Sequence, residues 1–301
     1  MRDFAVVMVA SEGPLFEQAV SAFNGLSVYG NDLDYHLIAH QSIPENELAR
    51  LREEERFTVV PWKEIWDLER HEKSESGQKN SGWECRFYRY RYALRIASQY
   101  KAIMITDADM FFCNNIMGFF ERAASSGKLL MPNNPWGASD EAVDEKGIEM
   151  IQGASSPPYH NMPLFVDASK YQTLLEGVYS WGLKEPYGDM STLYRTLFRS
   201  GQRDCIEPTD NDLWVVTDWY KYMMQESTDD QGRPVITTKD GLRVNSVHRR
   251  WNMAQVRDKF IGDIKEDDNR ERGVNNVGIF WRTIQWLLKN GPTKMVVSAE
   301  N

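Results

Sequence analysis

The sequence predicts an α/β fold with a mostly parallel central sheet flanked by helices, and the order of its elements carries that expectation. Segments that read as strands, Val6–Ala10, Asp34–His40, Phe57–Val60 and Ala102–Thr106, alternate with helical segments over the amino-terminal third. That order is the signature of strands joined by crossover helices, whose ligands bind outside the carboxyl ends of the strands. The 301-residue chain shows neither an internal repeat nor a Pro/Ser-rich divide, so the expectation is one domain in two halves, residues 1–115 and 116–262, with a tail over 263–301.

Taken in order, Val6–Ala10 is a continuous apolar run ending in Ser11-Glu12-Gly13-Pro14, a buried strand opening into a loop. Asp34–His40 reads as a second central strand. Ser42, Pro44 and Glu45 predict a capping-box start to a charged helix running to about Arg56, ahead of the strand Phe57–Val60. A short helical segment over Trp62–Lys73 precedes SESGQKNSG, the most polar, Gly/Ser-rich stretch and an expected loop. A helix over Glu84–Tyr100 then leads into the strand Ala102–Thr106.

Beyond Asn115 the pattern loosens into the loops MPNNPWGASD and QGASSPPYHNMPLF. The expected elements after them are a strand over Asn161–Asp167, helices over Ala168–Ser180, Met190–Ser200 and Asp212–Gln225, and a hairpin over Pro234–Val247 turning at Lys239-Asp240-Gly241. Asp263–Arg272 is a charge run, read as a solvated connection to an amphipathic helix over Asn276–Lys289, whose apolar stripe is expected to dock on its own domain, the alternative being peripheral membrane binding, which the acidic net charge disfavours.

Composition narrows the function classes. Thirty-five Lys+Arg against 44 Asp+Glu give a net charge of −9, a field that repels polyanions, so any nucleic-acid contact needs a local basic patch. Cys85, Cys113 and Cys205 are odd in number, far apart and without CxxC spacing, which points to a reducing compartment. The apolar stretch at the amino terminus is too short for a signal peptide, and no run of about 18 apolar residues occurs, so the expected location is cytoplasmic with no transmembrane segment.

The chemistry concentrates after the strand Ala102–Thr106, where Asp107 and Asp109 stand two residues apart. Residues i and i+2 share a side of an extended backbone, so both carboxylates can reach one hard divalent cation and leave positions for phosphate oxygens. The alternative reading of such a pair is one helix-capping and one solvated aspartate. The surrounding segment, WECRFYRYRYALRIASQYKAIMITDADMFF, resembles the nucleotide-sugar-dependent glycosyltransferases of the GT-A fold, in which a Tyr- and Arg-bearing helix precedes a strand ending in DxD. The resemblance implies a Rossmann-like sheet with a nucleotide-sugar-binding first half and an acceptor-side second half. It implies that Ala10 and Ser11 line the donor site. Asp107 would contact the nucleotide ribose or the metal, and Asp109 would ligate Mn2+ or Mg2+ directly. Arg89, with Arg86 and Arg91 close by, would touch the diphosphate or the donor sugar.

A later element extends the match. Val244–Val247 reads as a strand ending at His248, followed by Arg249, Arg250 and Trp251. By the resemblance His248 is a third metal ligand and Arg249 and Arg250 hold the departing diphosphate, although a glycogenin-like pattern would follow the histidine with Gly and Lys-Pro-Trp. Thr209-Asp210-Asn211-Asp212 is the best acceptor-side match: Asp212 is the expected general base or sugar-positioning carboxylate, with Asp210 next and Asp189 and Asp218 as alternatives. The Gly182 and Gly188 segment reads either as a glycine-bearing loop near the donor or as a plain interhelical turn.

The expected activity is therefore a metal-dependent hexosyl- or pentosyltransferase. Its donor is a nucleoside-diphosphate sugar, UDP-linked first of all, and its acceptor is a hydroxyl on a glycan, a protein, a metabolite or a modified base of phage-type DNA. Three rival readings stand beside it. A haloacid-dehalogenase-type phosphatase would use the first Asp as nucleophile, but its motif wants Thr or Val where this chain has Phe111. A nucleotidyltransferase would carry a basic loop that VASEGPLFE lacks. A catalytically inactive GT-A-like binding protein would have kept the fold alone.

Overall fold

The computed structural model describes residues 2–11, 13–65, 85–134, 157–184, 188–209, 214–215, 223–248 and 267–293. The strands are β1 Phe4–Ala10, β2 Asp34–Ala39, β3 Phe57–Pro61, β4 Ala102–Ile105, β5 Met110–Phe112, β6 Leu129–Pro132, β7 Leu164–Val166, β8 Ile206–Thr209, β9 Trp214–Val215, β10 Met224–Thr228, β11 Pro234–Thr238 and β12 Ser246–His248. The helices, numbered in chain order, are α1 Pro14–Val28, α2 Glu45–Arg52, α3 Cys85–Ile96, α4 Met117–Ser126, α5 Gln172–Gly182, α6 Asp189–Arg199 and α7 Asp267–Asn290. The chain divides into two compact units, one of Met1–Ser11, Leu33–Asp107 and Gly118–Asp210, the other of Glu12–Asp32, Ala108–Met117 and Asn211–Asn301.

The first unit is built on a seven-stranded sheet of order β3-β2-β1-β4-β7-β6-β8. Every strand runs the same way except β7, which is antiparallel to both β4 and β6. The expected mostly parallel α/β sheet is what forms. Its central strands carry unbroken apolar sequence, FAVVMVA in β1 and AIMI in β4, because successive side chains on both faces are buried and neither side can be polar. Helix α3 packs Phe87, Tyr88, Tyr90 and Ala93 into this core, all of them fully buried. Gly182, at the end of α5, lies against the Phe87 ring, where a Cβ would sit 2.2 Å from the ring carbons. The glycine therefore serves close helix packing and is not part of a loop.

Two local expectations fail for identifiable reasons. Pro44 takes the N-cap position of α2 with no side-chain cap, and the Ser42 hydroxyl bonds His40 Nδ1 at 2.7 Å, so no capping box forms. The same helix stops at Arg52, since Glu53, Glu54 and Glu55 would place acid at the negative end of its dipole. Helix α4 and strand β6 lie where loops were expected. They are short, with only Phe120 and Ala123 of α4 buried, and Gly127 at φ 58° ends the helix in the left-handed conformation.

The second unit pairs β5, β12 and β9 in one small sheet and β10 with β11 in another. Helix α1, absent from the sequence-based expectations, starts with Pro14 in its first turn and Glu17 on the favourable side of the dipole. It packs so tightly on β5 that a Cβ on Gly25 would lie 2.2 Å from the Phe112 carbonyl oxygen. Buried Asn31 ties off the segment after α1: its amide donates to the Leu26 and Asn114 carbonyls, and its oxygen accepts from the Ile116 N–H. The carboxyl-terminal helix docks on its own unit, as its stripe predicted. Phe280 meets Phe111 edge-on at 5.6 Å, and Asn24 bonds the Leu287 and Thr293 carbonyls. The helix begins earlier than expected, taking in part of the charge run.

The helix expected over Asp212–Gln225 is a correction. Trp214–Val215 is a strand beside β12, and Met224–Thr228 is a strand paired antiparallel with β11 through a turn at Asp229–Gly232; residues 216–222 lie outside the described residues. The turn residues Asp229-Asp230-Gln231-Gly232, with Gly232 at φ 72°, carry the signal that outweighs the helical spacing. The turn at Lys239–Gly241 forms as expected, with Gly241 at φ 84°. Among the described residues no helix is long and apolar enough to cross a membrane.

Candidate active site

β1 pairs with β4 so that Val7 faces Ile105, and the Thr106 N–H donates to the Val7 carbonyl at 3.2 Å. The chain leaves the sheet directly afterwards. Asp107 thus stands at the carboxyl edge, the same edge at which β1 ends in Ala10 and Ser11 and where open α/β sheets bind ligands. Ala108, small and buried, separates Asp107 from Asp109. The antiparallel pairing of β12 with β5 sets His248 opposite Met110 and so beside Asp109, whose Oδ1 lies 3.0 Å from His248 Nε2.

One ligand atom from each of Asp107, Asp109 and His248 falls within 4.8 Å of the other two. The side chains are 31%, 16% and 10% exposed respectively, shielded yet open to an incoming ligand. Two carboxylate oxygens and an imidazole nitrogen form a mixed donor set: the carboxylates suit hard divalent cations, and the nitrogen is compatible with first-row transition ions such as Mn2+. The donor chemistry fits the divalent cation implied by the sequence.

Of the three arginines close together on α3, Arg89 is the one turned to this edge. It is 2% exposed. Its Nη1 donates to Asp107 Oδ1 and, at 3.1 Å, to the Thr106 carbonyl, while Nη2 donates to Asp189 Oδ2. Burial alone would pull its pKa down, but Asp107 and Asp189 more than reverse this and raise it above its ordinary value. Arg91 turns away to Glu176 at 2.5 Å, and Arg86 is exposed. Asp189, at the start of α6, also accepts from Asn161 Nδ2 at 2.7 Å, and that same amide reaches the Tyr90 hydroxyl at 3.2 Å. Asn161 was not singled out from sequence. Its one visible signal is a polar residue three positions ahead of the buried strand β7.

Asp210, Asp212, Asp218, Arg249, Arg250 and Trp251 lie outside the described residues. Gly188 is the N-cap residue of α6, with extended backbone at φ −64°.

No family model and no curated protein matches the chain. Solved structures do. The galactosyltransferase LgtC in complex with donor and acceptor sugar analogues superposes at a TM-score of 0.53 and 12% identity, over 93% of this chain and 99% of that one. An active-site mutant of LgtC gives 0.54 at the same identity and coverage. The apo form of mouse xyloside xylosyltransferase 1 gives 0.45 at 15% identity, over 72% of this chain and 88% of that one. The likeness to LgtC is one of fold, and the fold of this chain is that of the GT-A glycosyltransferases.

Proposed function

We propose that the chain is a divalent-cation-dependent glycosyltransferase, a hexosyl- or pentosyltransferase that moves a sugar from a nucleoside-diphosphate donor to an acceptor hydroxyl. A UDP-sugar is the first donor to consider. The observation that carries the reading is the convergence of Asp107, Asp109 and His248 in a chain with the GT-A fold. These three residues would hold Mn2+ or Mg2+, which supplies charge neutralisation of the diphosphate as it departs. Both terminal nitrogens of Arg89 are engaged by protein acceptors, which favours a role in holding Asp107 over direct contact with the diphosphate.

Ala10 and Ser11, at the open end of β1, would line the donor nucleotide site. Arg249 and Arg250, directly after His248 in the sequence, would bind phosphate oxygens. Asp212, with Asp210 as the next candidate, would deprotonate the acceptor hydroxyl or position the sugar. Acceptors consistent with this chemistry are a glycan, a protein side chain, a metabolite or a hydroxylated base. The net charge of −9 weighs against nucleic acid. The free thiols of Cys113 and Cys205 support a reducing, cytoplasmic setting.

The test is a thermal-shift screen of UDP-, GDP-, ADP-, CMP- and dTDP-linked sugars, each with Mn2+ or with chelator, since a ligand that binds only the folded chain raises its stability. The expected result is a metal-dependent rise with one nucleotide family that disappears in Asp109→Asn. A well-folded chain stabilised by none of these donors, or full transferase activity in Asp109→Asn, refutes the proposal.

A further inference from the structure

Asp189 invites assignment as the acceptor-side base, being an acidic residue at a helix start in the second half of the chain. Its surroundings argue otherwise. It is 8% exposed, and its Oδ2 accepts from both Arg89 and Asn161. A carboxylate so enclosed offers little surface to an acceptor hydroxyl. What it does touch is the guanidinium that holds Asp107.

The geometry points to Asp189 as a positioning residue that keeps Asp107 available to the cation; the inference rests on the metal reading proposed above. Arg89 is a buried cation, and a buried cation pairs as tightly as its surroundings allow. With two carboxylates to serve, it steadies Asp107 without neutralising it. Among the described residues, Asp107, Asp109 and Asp189 against Arg89 leave two negative charges, the complement of one divalent ion. Remove the charge of Asp189 and the whole guanidinium is left for Asp107, in direct competition with the metal. Remove Arg89 as well and the two negative charges return, with the competitor gone.

The experiment is Mn2+ binding to the full chain, followed by the EPR signal of the free ion. Changing a partner that orients a metal-binding carboxylate typically weakens the metal by about tenfold or more, and that loss is expected for Asp189→Asn. The double variant Arg89→Met/Asp189→Asn is expected to recover to within about threefold of the unmodified chain, a recovery that a merely structural role for Asp189 would not produce. An Asp189→Asn chain that binds Mn2+ like the unmodified one overturns the inference. If Asp189→Asn does not fold, the double variant decides: near-normal affinity upholds the inference, and a loss of about tenfold or more overturns it. An unmodified chain that takes up no Mn2+ refutes the metal reading itself, a different outcome from failure of the variants alone.

Discussion

His36, in the middle of β2, makes the fold acid-sensitive by a calculable amount. It is buried between two tyrosines, with Nδ1 3.0 Å from the Tyr92 hydroxyl and Nε2 2.9 Å from the Tyr100 hydroxyl. Tyr100 donates its proton to Asp34 Oδ2 at 3.1 Å, so its oxygen accepts from His36 Nε2–H, and Nδ1 accepts from Tyr92. The neutral ring satisfies every partner. Burial, against a weaker opposing pull from Asp34, lowers the imidazole pKa from its ordinary 6.5 to about 4. Above 6.5 the ring is neutral in both folded and unfolded chains and its titration contributes nothing. Between 6.5 and about 4 only the unfolded chain takes up the proton, so stability falls with pH, and below that range both forms are charged and the loss stops. The full loss is about 3 kcal/mol, of which about 2 kcal/mol is reached by pH 5. Urea unfolding of the unmodified chain and of His36→Gln, each at pH 7 and pH 5, isolates this contribution, because every other titration is common to both. The unmodified chain should lose about 2 kcal/mol more than the variant. Equal losses would refute the buried, neutral imidazole.

Three further outcomes are expected. His248→Ala should weaken Mn2+ by more than the roughly tenfold typical of an orienting partner, with the melting temperature of the metal-free chain little changed; unchanged Mn2+ affinity would make the histidine purely structural. Gly25→Ala should destabilise by about 2–3 kcal/mol, since the new methyl meets the Phe112 carbonyl and backbone must move; a variant melting with the parent chain would contradict the α1–β5 packing. Cys113 is buried, its Sγ lies 3.1 Å from the Val244 carbonyl, and burial pushes its pKa up to about 12. Iodoacetamide should therefore leave Cys113 unmodified in the folded chain and alkylate it in urea, as read by peptide mapping.

The parallel core of the fold was legible because its signal is local and redundant. β1 and β4 are apolar runs that only a doubly covered strand can use, β2 keeps an apolar Leu37–Ala39 end behind its polar Asp34 and His36, and each precedes a turn or a polar break. The elements misread were those in which local signals conflict. Around residues 212–225 helical spacing of apolar residues competed with a turn signal just downstream at Asp229–Gly232, and cross-strand pairing with β11 and β12 prevailed. Helix α1 went unread because its sequence follows a loop and carries Gly25 in its last turn, which lowers helix propensity; that glycine is required by contact with Phe112, a residue 87 positions away in the chain.

The candidate site divides along the same line. Asp107 and Asp109 were legible because both lie on one short segment, and their spacing is the chemistry. His248 could be proposed only by resemblance; what brings it to Asp109 is the pairing of β12 with β5, a contact across 139 residues that spacing does not encode. The charges that govern the carboxylates are further still from the linear pattern. Arg89 lies among four arginines interleaved with aromatics on α3, and nothing in that run tells which one turns inward. Burial decides it: an arginine facing the core must find acid, and Arg89 finds Asp107 from the next strand end and Asp189 from α6. A motif names candidate ligands, but on the metal reading proposed above how strongly they would bind a cation depends on counter-charges that only the folded chain assembles. For that reason the Asp189 and Arg89 variants probe the site more deeply than substitution of the aspartate pair itself.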